Sequence, residues 1–436
     1  MNQYETQAMR EILLKAGFKE CLLKETADTY IINTCTVTGR ADRESHYMVG
    51  LLHRTNPKAR IIVTGCYVED NAIELSFMPG ISNIIRNADK ARIAEILSEP
   101  QAPLTGIFNP AVRDPRSTHE ITPLSITDFT GRTKAFVKIQ DGCDNFCAYC
   151  KIPLVRGPSR SRPIEDIVSE VRTLVDKGFR EIVLTGICLG AWGTDLQPSI
   201  IARSFGLAGA SLVDALKAID KVSGTFRIRL SSIEPKHVTD ELIEFMAKNK
   251  RMCAHLHIPL QSGDDAILKK MNRPYAAREY KALADRIKKA IKDVAITTDV
   301  LIGFPGESSV NFRNTVNFIK DILPARTHIF TFSRRRGTAA YEMGQEVKND
   351  VMKKRYYELY TAALGASYLY RKNFLNRSLD VLAETRRDRT SGFLMGYSDN
   401  YIKVLFEGGD DLARQIVSVK VRDVNLTYTV GAHGEE

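Results

Sequence analysis

The spacing of hydrophobic residues changes in character twice along the chain. In the first hundred residues a helical pattern from Gln3 to Ala16 is followed by short apolar runs, at Tyr30 to Ile32 and at Arg60 to Gly65, with a polar helical stretch between them. Short apolar runs between helices are typical of parallel strands in an open α/β sheet. We therefore predict an N-terminal open α/β domain, flavodoxin-like in class, over residues 1–99.

The pattern in the middle of the chain predicts a longer series of alternating helices and strands. Residues 100–130 are proline-rich and aperiodic, which is typical of a linker. Residues 131–370 then alternate helical patterns with six candidate strands, at Ala135 to Ile139, Glu181 to Thr185, Phe226 to Leu230, His255 to Leu260, Ala295 to Ile302 and Thr327 to Phe332. Six such units predict a partial TIM-type barrel, whose chemistry belongs in the loops after the strands.

The last segment, residues 371–436, has a strand pattern. Candidate strands at Ser378 to Ala383, Tyr401 to Phe406 and Gln415 to Val421 are separated by glycines and an Asp-Asn pair. This pattern predicts a small antiparallel β-barrel.

Composition narrows the class of protein. The 436 residues are 44% hydrophobic, and they contain neither an apolar run long enough for a membrane span nor a secretory signal. We expect a cytoplasmic protein with no membrane partner. The net charge is +10, and residues 131–372 hold 40 basic and 26 acidic groups, so the whole excess lies in the predicted barrel. This positive charge predicts a polyanionic partner, and nucleic acid is the first candidate.

Three cysteines directly after the first barrel strand are the strongest chemical signal. Cys143, Cys147 and Cys150 have the spacing C-x3-C-x2-C, and thiolates so spaced suit an iron–sulfur cluster or zinc. A structural zinc would need a fourth ligand close by, whereas the next candidates along the chain are Cys188 and His237. Three ligands on a four-iron cluster leave one iron open for chemistry.

Two further cysteines follow neighbouring strands of the N-terminal domain. Cys35 comes after the first apolar run and Cys66 after the second, so both are expected at the edge where open α/β sheets bind ligands. Taken singly, each would more often be a buried core thiol.

The cysteine loop after the first strand of a βα barrel resembles the radical S-adenosylmethionine (SAM) superfamily. Together with Cys35 and Cys66, the chain is similar to the methylthiotransferases of that superfamily along its whole length, ending in a TRAM barrel that carries the segment Asp399 to Val404. The run Thr34-Cys35-Thr36-Val37-Thr38, followed by Ala41-Asp42-Arg43, most resembles the branch acting on threonylcarbamoyladenosine in tRNA.

The resemblance implies an enzyme that adds a methylthio group to C2 of N6-threonylcarbamoyladenosine next to the anticodon. It implies SAM and two 4Fe-4S clusters, with Cys143, Cys147 and Cys150 holding the catalytic cluster and Cys35 and Cys66 ligating the auxiliary one. The implied partners are tRNA, through its anticodon loop, an electron donor and a sulfur source. The polar residues that follow the barrel strands are candidate cofactor-binding groups: Thr185, Gly186, Ser232, Glu234, Gln261, Arg156 and Arg160.

The family also holds its auxiliary cluster with a third cysteine, four residues before the asparagine that corresponds to Asn2. Met1 stands where the family has a valine in that stretch, so a mis-set start or a truncation is expected, together with a missing first strand. As written, the sequence predicts an auxiliary cluster that forms poorly.

Several alternatives stay open at this point. Arg156 and Arg160 could bind the cofactor carboxylate or RNA phosphate, or belong to a solvated loop. His255 and His257 are expected to be structural barrel histidines rather than metal ligands. The activity could instead be directed at isopentenyladenosine in tRNA or at a ribosomal-protein aspartate, or the chain could be a non-catalytic RNA-binding protein with a metal cluster.

Overall fold

The structure is a computed structural model in which residues 1–22, 25–98, 121–196 and 210–434 are described. The first two parts of the molecule are built around parallel sheets. Most of the predicted linker, residues 99–120, lies outside the described residues. Among the described residues, no helix combines the length and the apolar character that a membrane crossing requires.

The N-terminal part is a three-stranded parallel sheet in the order β1-β2-β3 with helices around it. Its elements are α1 Asn2–Lys15, β1 Thr29–Thr34, α2 Gly39–Thr55, β2 Arg60–Gly65, α3 Cys66–Ser76, β3 Ile81–Ile85 and α4 Ile93–Ser98. The helix and the first two strands agree with the sequence prediction. Strand β3 was not predicted, because its five residues include a serine and an asparagine and lack a clear apolar run.

The middle part contains six parallel strands in two sheets of three, in the orders β4-β7-β8 and β9-β10-β11. Isolated bridges from Ile228 to Met252 and from Ser232 to His257 join the two sheets. The strands are β4 Ala135–Lys138, β5 Gln140–Asp141, β6 Arg160–Ser161, β7 Glu181–Thr185, β8 Arg227–Leu230, β9 His255–His257, β10 Ala295–Ile302 and β11 Arg326–Thr331. The partial barrel that the sequence predicted is confirmed, with the short pair β5 and β6 added beside its first strand.

Helices cover the outside of these strands. They are α5 Ile152–Arg156, α6 Ile164–Asp176, α7 Leu212–Asp220, α8 Asp240–Lys248, α9 Asp265–Lys270, α10 Ala277–Ala290, α11 Ser309–Ile322, α12 Ala339–Glu342 and α13 Asn349–Lys372. The apolar side chains of the strands and helices form one large core, and Tyr4 and Ala8 of α1 belong to it. Helix α1 is therefore packed against the barrel as well as the N-terminal sheet.

The C-terminal part is a closed barrel of five strands in the order β12-β13-β14-β16-β15. The strands are β12 Ser378–Arg387, β13 Leu394–Ser398, β14 Lys403–Phe406, β15 Ile416–Val424 and β16 Thr429–His433. The pattern predicted three of them and missed β13 and β16, which are five residues each and contain glycine.

Buried arginines attach this small barrel to the large one. Arg227 donates to the carbonyls of Asp380 and Tyr397, and Arg229 donates to those of Ser398 and Asp399. Both guanidinium groups also pair with buried Glu181, whose single negative charge offsets part of their positive charge.

Candidate functional site

The loop carrying Cys143, Cys147 and Cys150 is held by its backbone on several sides. Gly142 has φ +75°, and a side-chain carbon there would come within 1.8 Å of the Pro158 carbonyl oxygen, so only glycine fits this turn. The Cys143 N–H donates to the Gly157 carbonyl at 3.1 Å, and the Cys150 N–H donates to the Cys147 carbonyl at 2.9 Å. The three thiols are thereby held in one loop at the carboxyl end of the first barrel strand.

The surroundings make the three thiols chemically unequal. A hydrogen bond with the Cys188 thiol lowers the pKa of Cys143 to about 7. Burial raises the pKa of Cys150 to about 12. Burial also raises the pKa of Cys147, and the nearby Arg273 guanidinium, whose Nη1 donates to Cys147 Sγ at 3.1 Å, offsets part of this effect.

Two of the predicted cofactor residues lie beside this loop. Thr185 ends β7 and its carbonyl accepts from Ile139, while Gly186 lies so close to Gln140 that a side-chain carbon would stand 2.8 Å from the Gln140 amide oxygen. Gln140 also donates to the carbonyls of Asp141 and Gly142, at 2.9 Å each. Gln140 was not predicted as a site residue, because a lone glutamine in a strand carries no motif.

Three more of the predicted cofactor residues follow the next strands of the barrel: Ser232, Glu234 and Gln261. Glu234 pairs with Arg273, so it holds the guanidinium that contacts Cys147. Ser232 is bridged to the strand of His257. Gln261 has φ +67° and its N–H donates to the Asp299 carbonyl at 2.8 Å.

The zinc alternative depended on a nearby fourth ligand, and the structure corrects the expectation that none is close. Cys188 hydrogen-bonds with Cys143, and its sulfur lies 3.8 Å from His237 Nδ1. Even so, no three ligand atoms from these residues come within 4.8 Å of one another in the described part of the chain. Sulfurs on one zinc ion would be about 3.8 Å apart, so the loop fits a wider, multi-iron group better than a single ion.

The second pair of thiols faces the same region from the N-terminal sheet. Cys35 follows β1 and Cys66 begins α3, and the Arg156 Nε donates to Cys66 Sγ at 3.1 Å. Burial raises the pKa of Cys35, with a further contribution from the neighbouring Cys66. The structure therefore brings the two N-terminal thiols together, as their positions at neighbouring strand ends predicted.

Arg156 is buried, so the solvated-loop alternative is wrong for this residue. Its guanidinium pairs with Glu5 and with Asp141, the latter at 3.2 Å. Lys90 pairs with Glu5, and Lys138 with both acids. Arg160 is also buried and donates to the Arg156 carbonyl at 2.6 Å. These arginines form a structural contact between the barrel and the N-terminal sheet, next to Cys66.

Two further contacts join the Cys35 side to the barrel. Arg335, in the turn after β11, pairs with Asp42 at 2.6 Å and donates to the carbonyl and hydroxyl of Thr36, the residue after Cys35. Lys151, directly after Cys150, pairs with Asp70 of α3. The thiol pair and the cysteine loop are thus held on facing surfaces by ion pairs on both sides.

Comparison with known proteins identifies the family of the chain. Two family models match, one described as the radical SAM superfamily over residues 137–319 and one described as uncharacterized protein family UPF0004 over residues 1–85. Over 437 residues the chain is 36% identical to the threonylcarbamoyladenosine tRNA methylthiotransferase MtaB of Bacillus subtilis, covering 99% of this chain and 93% of the relative. The chain belongs to the radical SAM methylthiotransferase family.

Other methylthiotransferases match over similar lengths. MtaB of Thermotoga maritima is 35% identical, and the tRNA-2-methylthio-N(6)-dimethylallyladenosine synthase of Desulfitobacterium hafniense is 32% identical, each covering 98% of this chain and 93% of the relative. The solved structure of the radical SAM methyltransferase TsrM from Kitasatospora setae is similar in fold, with a TM-score of 0.54 at 14% identity, covering 78% of this chain and 74% of that one.

Membership of this family makes the chain a transferase that uses a 4Fe-4S cluster and SAM. The non-catalytic alternative is therefore wrong. The three thiols of the loop after β5 fit the cluster by number and by chemistry.

Proposed function

We propose that this methylthiotransferase adds a methylthio group to C2 of N6-threonylcarbamoyladenosine, next to the anticodon of tRNA. The observation that carries the proposal is the facing arrangement of two thiol groups, Cys35 with Cys66 and the loop of Cys143, Cys147 and Cys150. A reaction that joins sulfur to an unactivated carbon needs a sulfur site and a radical site close together. The substrate assignment is supported by the names of the relatives that are 35% and 36% identical.

In this proposal, Cys143, Cys147 and Cys150 hold the catalytic cluster. When bound, that cluster and SAM supply a carbon-centred radical able to remove hydrogen from an unactivated position. Gly186 and Gln140 bring the backbone close to the cofactor, and Thr185, Ser232, Glu234 and Gln261 are its candidate polar contacts. Arg273 donates to Cys147 Sγ and helps to fix that ligand. Arg156 and Arg160 act as positioning residues for the Cys66 side.

Cys35 and Cys66 are the proposed ligands of a second 4Fe-4S cluster, which would hold the sulfur to be transferred. Met1 lies in the same buried neighbourhood, where burial lowers the pKa of its amino group and the charges of Glu5 and Arg156 act on it. The Arg156 guanidinium that acts on this amino group also donates to Cys66 Sγ, so the start of α1 lies on the Cys66 side of the site.

The division into an N-terminal domain at 1–99, a linker at 100–130, a barrel at 131–370 and a TRAM domain at 371–436 is proposed on the same basis. The barrel carries the positive excess, so electrostatic attraction of tRNA would act largely near the cysteine loop. Exposed arginines of the small barrel, Arg386, Arg387 and Arg389, would add contacts to phosphate. We further propose a cytoplasmic enzyme that requires an electron donor and a sulfur source.

Mass spectrometry of tRNA nucleosides tests the substrate. A strain lacking its own enzyme is complemented with this chain, and the methylthio derivative of N6-threonylcarbamoyladenosine should appear. A methylthio derivative of isopentenyladenosine in its place would overturn the substrate assignment, and so would a modified ribosomal-protein aspartate without any change in tRNA.

Cysteine variants test the assignment of the second cluster. Cys35→Ala and Cys66→Ala should lose part of the bound iron and all methylthiolation, yet keep reductive cleavage of SAM, because the loop of Cys143 is intact. Cys21→Ala is the matched control, since Cys21 is exposed and distant from both thiol groups in the sequence. Unchanged iron and product in Cys66→Ala would contradict the assignment.

A further inference from the structure

Three side chains from adjacent barrel strands converge at a place separate from the cysteine loop. They are His257 at the end of β9, Asp299 in β10 and His328 in β11. Asp299 Oδ1 lies 3.2 Å from His257 Nε2 and 3.3 Å from His328 Nδ1, and all three atoms are within 4.8 Å of one another. In the described residues, this is the single place where three His, Cys, Asp or Glu ligand atoms come so close.

The contacts do not have the geometry of ordinary hydrogen bonds. Asp299 Oδ1 is buried, and no donor in the described part of the chain satisfies hydrogen-bond geometry to it. A buried carboxylate oxygen without a donor is costly. The two imidazole nitrogens nevertheless stand at distances that fit a shared ion, because two ligands about 2.1 Å from one metal at a tetrahedral angle are roughly 3.4 Å apart.

The surroundings of His257 have a further property of metal sites. Its other ring nitrogen, Nδ1, lies 2.9 Å from the Thr297 hydroxyl. Metal-binding histidines usually donate their second N–H to an oxygen in this way, which fixes the tautomer. When Nδ1–H donates to Thr297, the lone pair on Nε2 points toward the Asp299 carboxylate, and a cation between them removes the repulsion.

We propose that His257, Asp299 and His328 bind a divalent transition-metal ion of the zinc, iron(II) or cobalt(II) type. Two imidazoles and one carboxylate suit these ions, whereas magnesium and calcium prefer oxygen ligands. The side chain of His328 is 39% exposed, compared with 12% for His257, so the site opens toward β11 and leaves coordination positions for water or a substrate oxygen. The sequence favoured a structural role for His257, because Asp299 and His328 are far from it along the chain.

The site also adjoins the region proposed for SAM. The carbonyl of Asp299 accepts a hydrogen bond from the N–H of Gln261 at 2.8 Å, so the metal site and a candidate cofactor residue share one backbone contact. An ion here would therefore lie inside the barrel, where it could bind an anionic or carbonyl oxygen of the substrate. The existence of the site does not depend on the proposed tRNA substrate.

Cobalt(II) is a suitable probe in the enzyme with its clusters reconstituted. The protein is treated with chelator, loaded with cobalt(II) under anaerobic conditions, passed through a desalting column and assayed for metal. Wild type should retain about one equivalent more cobalt than Asp299→Asn or His328→Asn, since the first change replaces the carboxylate by a neutral amide of the same shape and the second removes an imidazole ligand. His433→Asn, at an exposed histidine of the small barrel, is the matched control and should retain cobalt as wild type does.

Pulsed electron paramagnetic resonance of the wild-type cobalt protein gives a test without any variant. Oxidised 4Fe-4S clusters are diamagnetic, so the cobalt signal is observed alone, and it should show modulation from imidazole nitrogen. Equal cobalt retention in wild type and both ligand variants would overturn the proposal. The absence of imidazole modulation would overturn it as well, because cobalt held by cysteine thiolates gives none.

Discussion

Individual side chains give the three loop cysteines different reactivity. Cys143 shares a hydrogen bond with Cys188, Cys147 accepts one from Arg273, and Cys150 is the most deeply buried of the three thiols. Motif spacing predicted the three ligands but none of these neighbours, since Cys188 and Arg273 reach the loop from later barrel units. A contact of that kind depends on the fold and leaves no local sequence pattern.

The unequal thiols give a pH prediction for the cluster-free protein. A pKa of about 7 makes Cys143 half thiolate near neutral pH, whereas a pKa of about 12 keeps Cys150 protonated. Alkylation by iodoacetamide should therefore label Cys143 first, with a rate that rises through pH 7 and levels off above pH 8. Peptide mass spectrometry measures this order, and faster labelling of Cys150 would contradict it. Cys188→Ala removes the hydrogen bond that lowers the Cys143 pKa, so as the matching control it should shift the rise in the labelling rate to higher pH.

Arg273 predicts an effect on the cluster itself. Hydrogen bonds and positive charge near a cluster sulfur favour the reduced state. Arg273→Lys should keep the ion pair with Glu234 but lose the directed N–H to Cys147, so the reduction potential should fall. Redox titration followed by electron paramagnetic resonance measures it. Arg334→Lys, at an exposed arginine, should leave the potential unchanged.

At the scale of whole elements, the observed helices and strands agree best with the sequence predictions where the hydrophobic pattern is strong. Strand β7 was predicted with the bounds that the structure gives, Glu181–Thr185, because it contains a continuous apolar run and is buried along its whole length. Strands β3, β13 and β16 were missed because short strands with polar or glycine residues have little periodicity. The placement of Arg156 against Cys66 could not be predicted, since it depends on how the N-terminal sheet packs on the barrel.

The contact between β1 and the turn after β11 is expected to control methylthio transfer. Removing the buried guanidinium in Arg335→Ala leaves Asp42 unpaired and should destabilise the protein by about 2 to 4 kcal/mol. It should also loosen the Cys35 loop, so product formation should fall more than SAM cleavage. Thermal unfolding and the two activities measure these effects. Equal losses of both activities would count against a specific role in placing Cys35.

In the whole molecule, the small barrel contributes to the stability of the large one. Arg227 and Arg229 are satisfied by its carbonyls, and Tyr401 stacks on His255 with ring centres 4.7 Å apart. The small barrel therefore has a structural role in addition to the proposed contact with RNA.

Deleting residues after Lys372 should consequently destabilise the radical barrel. The deletion removes the backbone carbonyls that accept hydrogen bonds from Arg227 and Arg229, and it uncovers His255, on which Tyr401 stacks. We expect a melting temperature lower by at least several degrees and less bound iron, whereas Arg387→Ala, at the surface of the small barrel, should change neither. A truncated protein with full stability and iron content would contradict this interpretation.

The packing of α1 also has a consequence for synthesis of the chain on the ribosome. The Tyr4 hydroxyl donates to the Leu124 carbonyl at 2.7 Å and contacts Glu170, 166 residues later in the sequence. At roughly 5 to 20 residues per second, Glu170 is made about 8 to 33 seconds after Tyr4. Helix α1 must therefore wait for the barrel before its apolar side is covered, and a chaperone that binds nascent chains would find it exposed during that interval.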